Sequence, residues 1–191
     1  KNINKINNGT IPFMEDKSKA LLKKMLSKKK IFATDDINII KKSKYIIVCI
    51  GTPINSQMNP NLKKFINFFH SIKKHLNNRQ SLIIRSSIYP GIYDKIYNIV
   101  KYKCKNITYC PERIAQGKSI IELPKLPQIV SGKNKKSLIS SGKLFKKICR
   151  KIIYTEVLEA ELIKLFSNAY RYINFSISNQ FYMICRDQGL D

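Results

Sequence analysis

Acidic residues are scarce in this chain: 12 Asp and Glu stand against 36 Lys and Arg, for a formal charge of +24. Such an excess favours anionic ligands in general. It does not single out nucleic acid, because Lys is spread over almost every segment beside abundant Asn and Ile, which share AT-rich codons with it. Aromatic residues do not interleave with the basic runs as a base-stacking platform requires, so no nucleic-acid partner is expected. Gly and Pro are few, 7 of each, which leaves no low-complexity linker and a globular composition. Long apolar runs are missing too. The longest, "YIIVCIG", is strand-sized, well short of the ~18 residues of a membrane span, and no membrane partner is expected. Cys49, Cys104, Cys110, Cys149 and Cys185 are scattered without a CxxC pair, and His70 and His75 have no thiol nearby. That argues against a zinc site and a disulfide framework and suits a reducing cytoplasm. Both His residues read as surface positions of a Lys-rich helix.

What is present alternates in type. "KSKYIIVCIGTP" is a continuous apolar run closed by Gly51-Thr52-Pro53, as a strand buried on both faces would be. Residues 61–77 carry Leu62, Phe65, Ile66 and Phe69 on one helical side. "QSLIIRSS" is a second strand, ended by Pro90-Gly91, with a short helix from Tyr93 to about Tyr102. "NITYCPER", "PQIVSGK" and "RKIIYTE" give three more strands, the last two separated by a helix at about Lys136–Cys149. Strands alternating with helices at this spacing predict an α/β fold of βαβ units around a parallel sheet. Ahead of them we expect a loop, a helix and a short strand "KIFATDD". From Glu156 to about Asp187 there is no Pro or Gly and the periodicity is helical throughout, which predicts one long helix of the kind found at domain junctions and subunit interfaces. The chain begins with Lys, and "MICRDQGLD" leaves that helix unfinished. We therefore expect a segment of a longer protein.

Ligands of an open parallel sheet collect at the carboxyl ends of its strands. Three of these ends carry polar groups: Gly51 and Thr52, Ser86 and Ser87, and Glu112 with Arg113. Taken singly, the first two read as turn chemistry and the third as a surface ion pair. Together, on one rim, they mark a site. In "ELIKLFSNAYRYINFSISNQ", Lys164, Asn168 and Arg171 follow one another at spacings of four and three on a helical face otherwise made of Leu, Phe, Ala and Tyr. Such a line is either a solvated edge or the wall of a polar site. An ammonium and a carboxamide one turn apart can converge on a single oxygen.

In their order and approximate spacing, "IVCIGTP", "RSSIYPG", "YCPERIAQGK", "LPQIVSGK" and "AELIKLFSNAYRYINFSISNQF" resemble the nucleotide-sugar 6-dehydrogenase family, which includes UDP-glucose, GDP-mannose and UDP-N-acetylmannosamine dehydrogenases. The form "CPER" resembles the branch acting on UDP-N-acetylhexosamines, and Gln116 stands where the UDP-glucose enzymes, with their "PEF" form, usually carry Glu. The resemblance implies a Rossmann-like NAD-binding domain lacking its first βαβ unit over residues 1–154, and the start of a central helical dimerisation domain over 155–191. It implies two NAD-dependent oxidations of a sugar's primary alcohol to a carboxylate through a Cys thioester, with UDP-N-acetylmannosamine the first candidate substrate. Lys164 and Asn168 match the family residues that stabilise the oxyanion and position water, and Glu112 matches the carboxylate that activates the water. Arg113, Ile114 and Arg171 match substrate contacts, while Gly51, Thr52 and Ser87 match the NAD pocket, Ser87 replacing the commoner Thr. The long helix would supply a homodimer interface through Ile173, Phe175, Ile177 and Phe181.

Two family elements have no counterpart in this sequence: a GxGxxG loop with its ribose-binding acid, and the nucleophilic Cys in a "GGxC" context. Cys110, beside Pro111-Glu112, sits where the family has no nucleophile and reads as a buried structural thiol. The segment alone is expected to be inactive and the parent protein active. The alternatives are the same fold acting on UDP-glucose, a member that binds nucleotide sugars without turnover, and a basic non-catalytic Rossmann-like module for RNA or another polyanion.

Overall fold

A computed structural model describes residues 2–15, 17–52, 62–114 and 117–190. Five short strands form one sheet in the order β1 (Tyr45–Val48), β2 (Ser81–Ile84), β3 (Asn106–Tyr109), β4 (Gln128–Ser131) and β5 (Ile152–Thr155). The helices are α1 (Asn2–Asn7), α2 (Ser18–Ser27), α3 (Ile39–Lys42), α4 (Leu62–Ile72), α5 (Ile92–Val100), α6 (Ser119–Glu122), α7 (Lys135–Phe145) and α8 (Val157–Asp187). Five of the six expected strands therefore form, as do the helices around them.

The pleat of β2 explains the layers. Leu82 and Ile84 point into one core, where Phe65, Phe69 and Ile72 of α4 meet Ile92, Ile96 and Val100 of α5. Ile83 points the other way, into a smaller core with Cys110, Val130 and Phe145. Successive side chains of a strand alternate between faces, and a strand covered on both is apolar throughout. On the second face, α7 approaches closely through small residues: Ser141 shares a hydrogen bond with Thr108 at 2.8 Å, and Gly142 leaves room for the Tyr154 ring that any Cβ would strike. The capping box between Glu156 and Glu159 fixes the start of α8. Its first turns lay Val157, Ala160 and Ile163 on the larger core.

Three expectations need correction. The sheet is mostly, not wholly, parallel: β1–β2–β3 and β4–β5 are parallel pairs, but β3 meets β4 antiparallel at Tyr109 and Ser131. The chain between them stays at the carboxyl end of β3, with Gln128 Nε2 donating to Pro111 O at 3.4 Å, so β4 enters from that end and runs back. The segment "KIFATDD" forms no strand. Its hydrogen bonds go to a side chain, Asn7 donating to Ala33 O at 2.9 Å and accepting from Ala33 N at 2.7 Å. His75 is 7% exposed, because it continues the inward stripe of Phe65, Phe69 and Ile72 by a further three residues; His70 is exposed as expected.

Candidate active site

The parallel strands β1, β2 and β3 end on one side, and the chain leaving them encloses a cleft of about 320 Å³ lined by Cys49, Ile50, Gly51, Thr52, Arg85, Ser86, Ser87 and Glu112. The three polar strand ends thus share one rim. Gly51 has no atom of a described residue within 4 Å of where its Cβ would lie, so among these residues nothing blocks a ligand from its backbone. Ser86 is buried and committed to structure, its hydroxyl donating to Ile50 O at 2.6 Å. Thr52 and Ser87 are half-buried. These groups fit the part of a dinucleotide that lies over the strand ends, an open glycine flanked by hydroxyls.

Arg85 organises the centre of the rim. It follows the apolar run of β2, is buried, and pairs through Nη2 with Oε2 of Glu112. Its Nη1 donates to Gln128 Oε1 at 2.8 Å, and its guanidinium carbon lies 4.8 Å from the centre of the Phe145 ring. Burial pulls its pKa down; the thiols of Cys110, Cys49 and Cys149 act in the other direction. The other Glu112 oxygen accepts from the backbone of Arg113 at 2.9 Å and of Ile114 at 3.1 Å. Cys110 is fully buried, and burial pushes its thiol up to about 12, so it stays protonated and away from solvent.

α8 carries the remaining candidate residues. Glu161, 1% exposed, accepts from the backbone of Gly91 and Tyr93, both at 3.0 Å. Those groups are at the N-terminus of α5, where Gly91 adopts φ 87°, a conformation suited to glycine. A carboxylate there satisfies orphan N–H groups and complements the helix dipole. The anchor fixes Lys164, three residues on and on the same face. Lys164 is buried, and burial, followed by the positive charges of Arg171, Arg113 and Arg85, pulls its pKa down. Its Nζ donates to Asn168 Oδ1 at 3.4 Å, and Arg171 Nη2 reaches Arg113 O at 3.5 Å. Arg113 itself donates to Pro127 O at 2.6 Å.

Glu112, Arg113 and Arg171 are joined through Arg85 and the backbone of the "CPER" loop, and Lys164, bonded to Asn168, feels the charges of Arg171, Arg113 and Arg85. Among the described residues no hydrogen bond or ion pair joins Lys164 directly to Glu112. Gln116 lies outside the described residues, as does Pro53. Sequence reasoning missed Arg85 and Glu161. The available signals were a cation directly after the unbroken apolar run "SLII", and an acid in "AELIK" one turn ahead of Lys164. A larger depression of about 660 Å³, lined by Lys41, Lys42, Lys44 and Arg79 among others, lies beyond the opposite ends of the strands and contains no acid–base pair.

Residues 1–153 match the model of the UDP-glucose/GDP-mannose dehydrogenase family, NAD binding domain. The chain belongs to this family. A UDP-N-acetyl-D-mannosamine dehydrogenase of Methanococcus vannielii is 30% identical across the whole chain, which corresponds to 45% of that relative. The structure of the Pyrococcus horikoshii enzyme acting on UDP-D-ManNAc superposes with a TM-score of 0.87 at 26% identity, over 99% of this chain and 47% of that one. A GDP-mannose dehydrogenase from Pseudomonas aeruginosa, solved as a ternary complex, shares the fold at 19% identity with a TM-score of 0.85, over 99% of this chain and 46% of that one. The chain thus spans about half the length of the relatives it matches. The matched family domain is an NAD-binding one, and Gly51, Thr52 and Ser87 line the cleft at the strand ends.

Proposed function

We propose that the protein carrying this chain is an NAD-dependent nucleotide-sugar 6-dehydrogenase that oxidises the primary alcohol of a UDP-N-acetylhexosamine, UDP-N-acetylmannosamine first, to the uronate. The observation that carries this reading is the half-buried Lys164–Asn168 contact, with Lys164 within electrostatic reach of Arg171, Arg113 and Arg85, together with the Arg85–Glu112 pair that lines the cleft at the strand ends. Family membership and the names of the relatives support the chemistry.

NAD, when bound, accepts the two hydrides that the sugar carbon gives up. The chain's own residues would do the rest. Lys164 holds its ammonium against the oxyanion formed at that carbon, and Asn168 adds a neutral donor one turn along. Arg113 and Arg171 offer planar guanidinium donors to sugar or diphosphate oxygens, with Ile114 lining the loop beside them. Glu112 takes the proton of the water that releases the product from its thioester. The Cys that forms the thioester is not in this sequence, and the family resemblance puts it beyond α8. Apolar side chains exposed on the later turns of α8 support a homodimer through that helix. No helix among the described residues is long and apolar enough to cross a membrane, and we take the cytoplasm as the compartment.

The deciding experiment supplies the full-length protein with NAD+ and either UDP-N-acetylmannosamine or UDP-glucose and follows NADH absorbance. Two NADH per sugar are expected with the first and little with the second. A preference for UDP-glucose would move the assignment to that branch. Binding of RNA with a steep salt dependence, and no NADH from any sugar, would favour the basic module instead.

A further inference from the structure

We propose that Arg85 is a positioning residue for the release of product: with Gln128 it clamps the Glu112 carboxylate so that a single acceptor site of that carboxylate is left for the attacking water. The inference rests on the reading of Glu112 as the water-activating group. A carboxylate has about four lone-pair sites. On Glu112, two on Oε1 are taken by the backbone N–H groups of Arg113 and Ile114, and one on Oε2 by Arg85. Among the described residues nothing takes the fourth, which lies on the same oxygen that Arg85 holds.

The clamp is built on rigid elements. Gln128, itself buried, is turned so that its amide N–H donates to Ile129 O at 2.8 Å and to Pro111 O at 3.4 Å. That leaves Oε1 facing Arg85 at 2.8 Å. Phe145 of α7 covers the guanidinium face. A point-like ammonium cannot hold Glu112 and Gln128 in one plane and stack on Phe145 as well. In the step served, the water oxygen bonds to the acyl carbon, the carbon–sulfur bond breaks and the thiolate leaves. The water's proton passes to Glu112, and no electrons are exchanged with a cofactor. A carboxylate free to rotate would meet that water in only a fraction of its orientations. Reaching the productive geometry is what supporting hydrogen bonds provide.

The test uses the full-length protein with UDP-N-acetylmannosamine and NAD+, reading the rapid NADH burst and, by intact mass, the sugar acyl group held on the enzyme. Glu112→Gln is the reference: it should keep the burst, lose turnover and accumulate the acyl adduct. Arg85→Met should do the same, with turnover reduced about 100-fold, in the range of a lost general base. Arg85→Lys should recover only about a tenth of the native rate. Gln128→Met, which leaves the ion pair intact, should show a smaller build-up of adduct and an unchanged KM. Native turnover in Arg85→Met overturns the proposal, and so does loss of the burst in Arg85→Met while Glu112→Gln retains it. If Arg85→Met does not fold, Arg85→Lys is judged by the same two criteria. Absence of adduct in Glu112→Gln would show instead that the reading of Glu112 itself is wrong, and the proposal would fall with it.

Discussion

Glu161 and Lys164, in the first turns of α8, are 1% and 9% exposed, whereas Ile173, Phe175 and Phe181 further along are 58%, 64% and 64% exposed. Within one helix the ordinary distribution of polar and apolar residues is reversed. Each half explains itself by what it touches. The first half lies on the larger core through Val157, Ala160 and Ile163, and its buried charges face backbone N–H groups, an amide and neighbouring guanidinium groups. Burying a charge is costly unless it is bonded. Glu161 meets that condition, and among the described residues Lys164 meets it only through a 3.4 Å contact, which supports its proposed role toward a ligand. The second half leaves the sheet and shows a run of large apolar side chains, which marks an interaction surface.

Breaking the second half should have the largest effect. In a symmetric dimer each substituted side chain counts twice. At about 1.5–3 kcal/mol for a buried Phe, Phe175→Asp should weaken association by about 3–6 kcal/mol. On the proposed dimer, sedimentation velocity of the full-length protein should then show dimer for the native protein and monomer for the variant at micromolar concentration. An unchanged sedimentation coefficient would remove α8 from the interface. Breaking the first half should act on chemistry instead. Lys164→Ala should lower turnover by about 10²–10³-fold, the usual loss for an oxyanion-stabilising donor. Its melting temperature should change little, because the variant removes a buried ammonium that has no carboxylate partner among the described residues. Native turnover in that variant would return Lys164 to the role of a structural residue.

The two halves were also legible to different degrees. The length of α8 and the stacking of Lys164, Asn168 and Arg171 follow from spacing alone, and so do the five strands, because apolar runs bounded by turn residues are local signals. Strand direction is not local. β4 carries the same kind of apolar run as β2, and its reversal depends on where the loop after Tyr109 brings the chain back. Buried charges pose the same difficulty. Arg85 and Glu161 are stabilised by Glu112, Gln128 and the first turn of α5, partners 27 to 70 residues away. His75 was misplaced for a simpler reason: the adjacent Lys73 and Lys74 suggested a surface, while the helical stripe behind it continued inward.

The smallest expected effect sharpens the contrast between Lys164 and an ordinary exposed lysine. Its pKa is lowered first by burial and then by Arg171, Arg113 and Arg85, in that order. As the ammonium is the form that stabilises an oxyanion, kcat should fall on the alkaline side as Lys164 loses its proton, at a pH below the usual lysine range. Removing a neighbouring positive charge makes the ammonium easier to keep, which raises the pKa. Arg171→Gln should therefore move the alkaline limb of kcat upward, by less than about one pH unit, since the largest contribution, burial, remains. Arg171→Lys keeps the charge and should leave the limb where it is. KM should rise in both variants, because the guanidinium fork is lost in both. A limb that moves equally in the two would attribute the shift to substrate contact, and one that moves in neither would place Arg171 too far from Lys164 for its charge to matter.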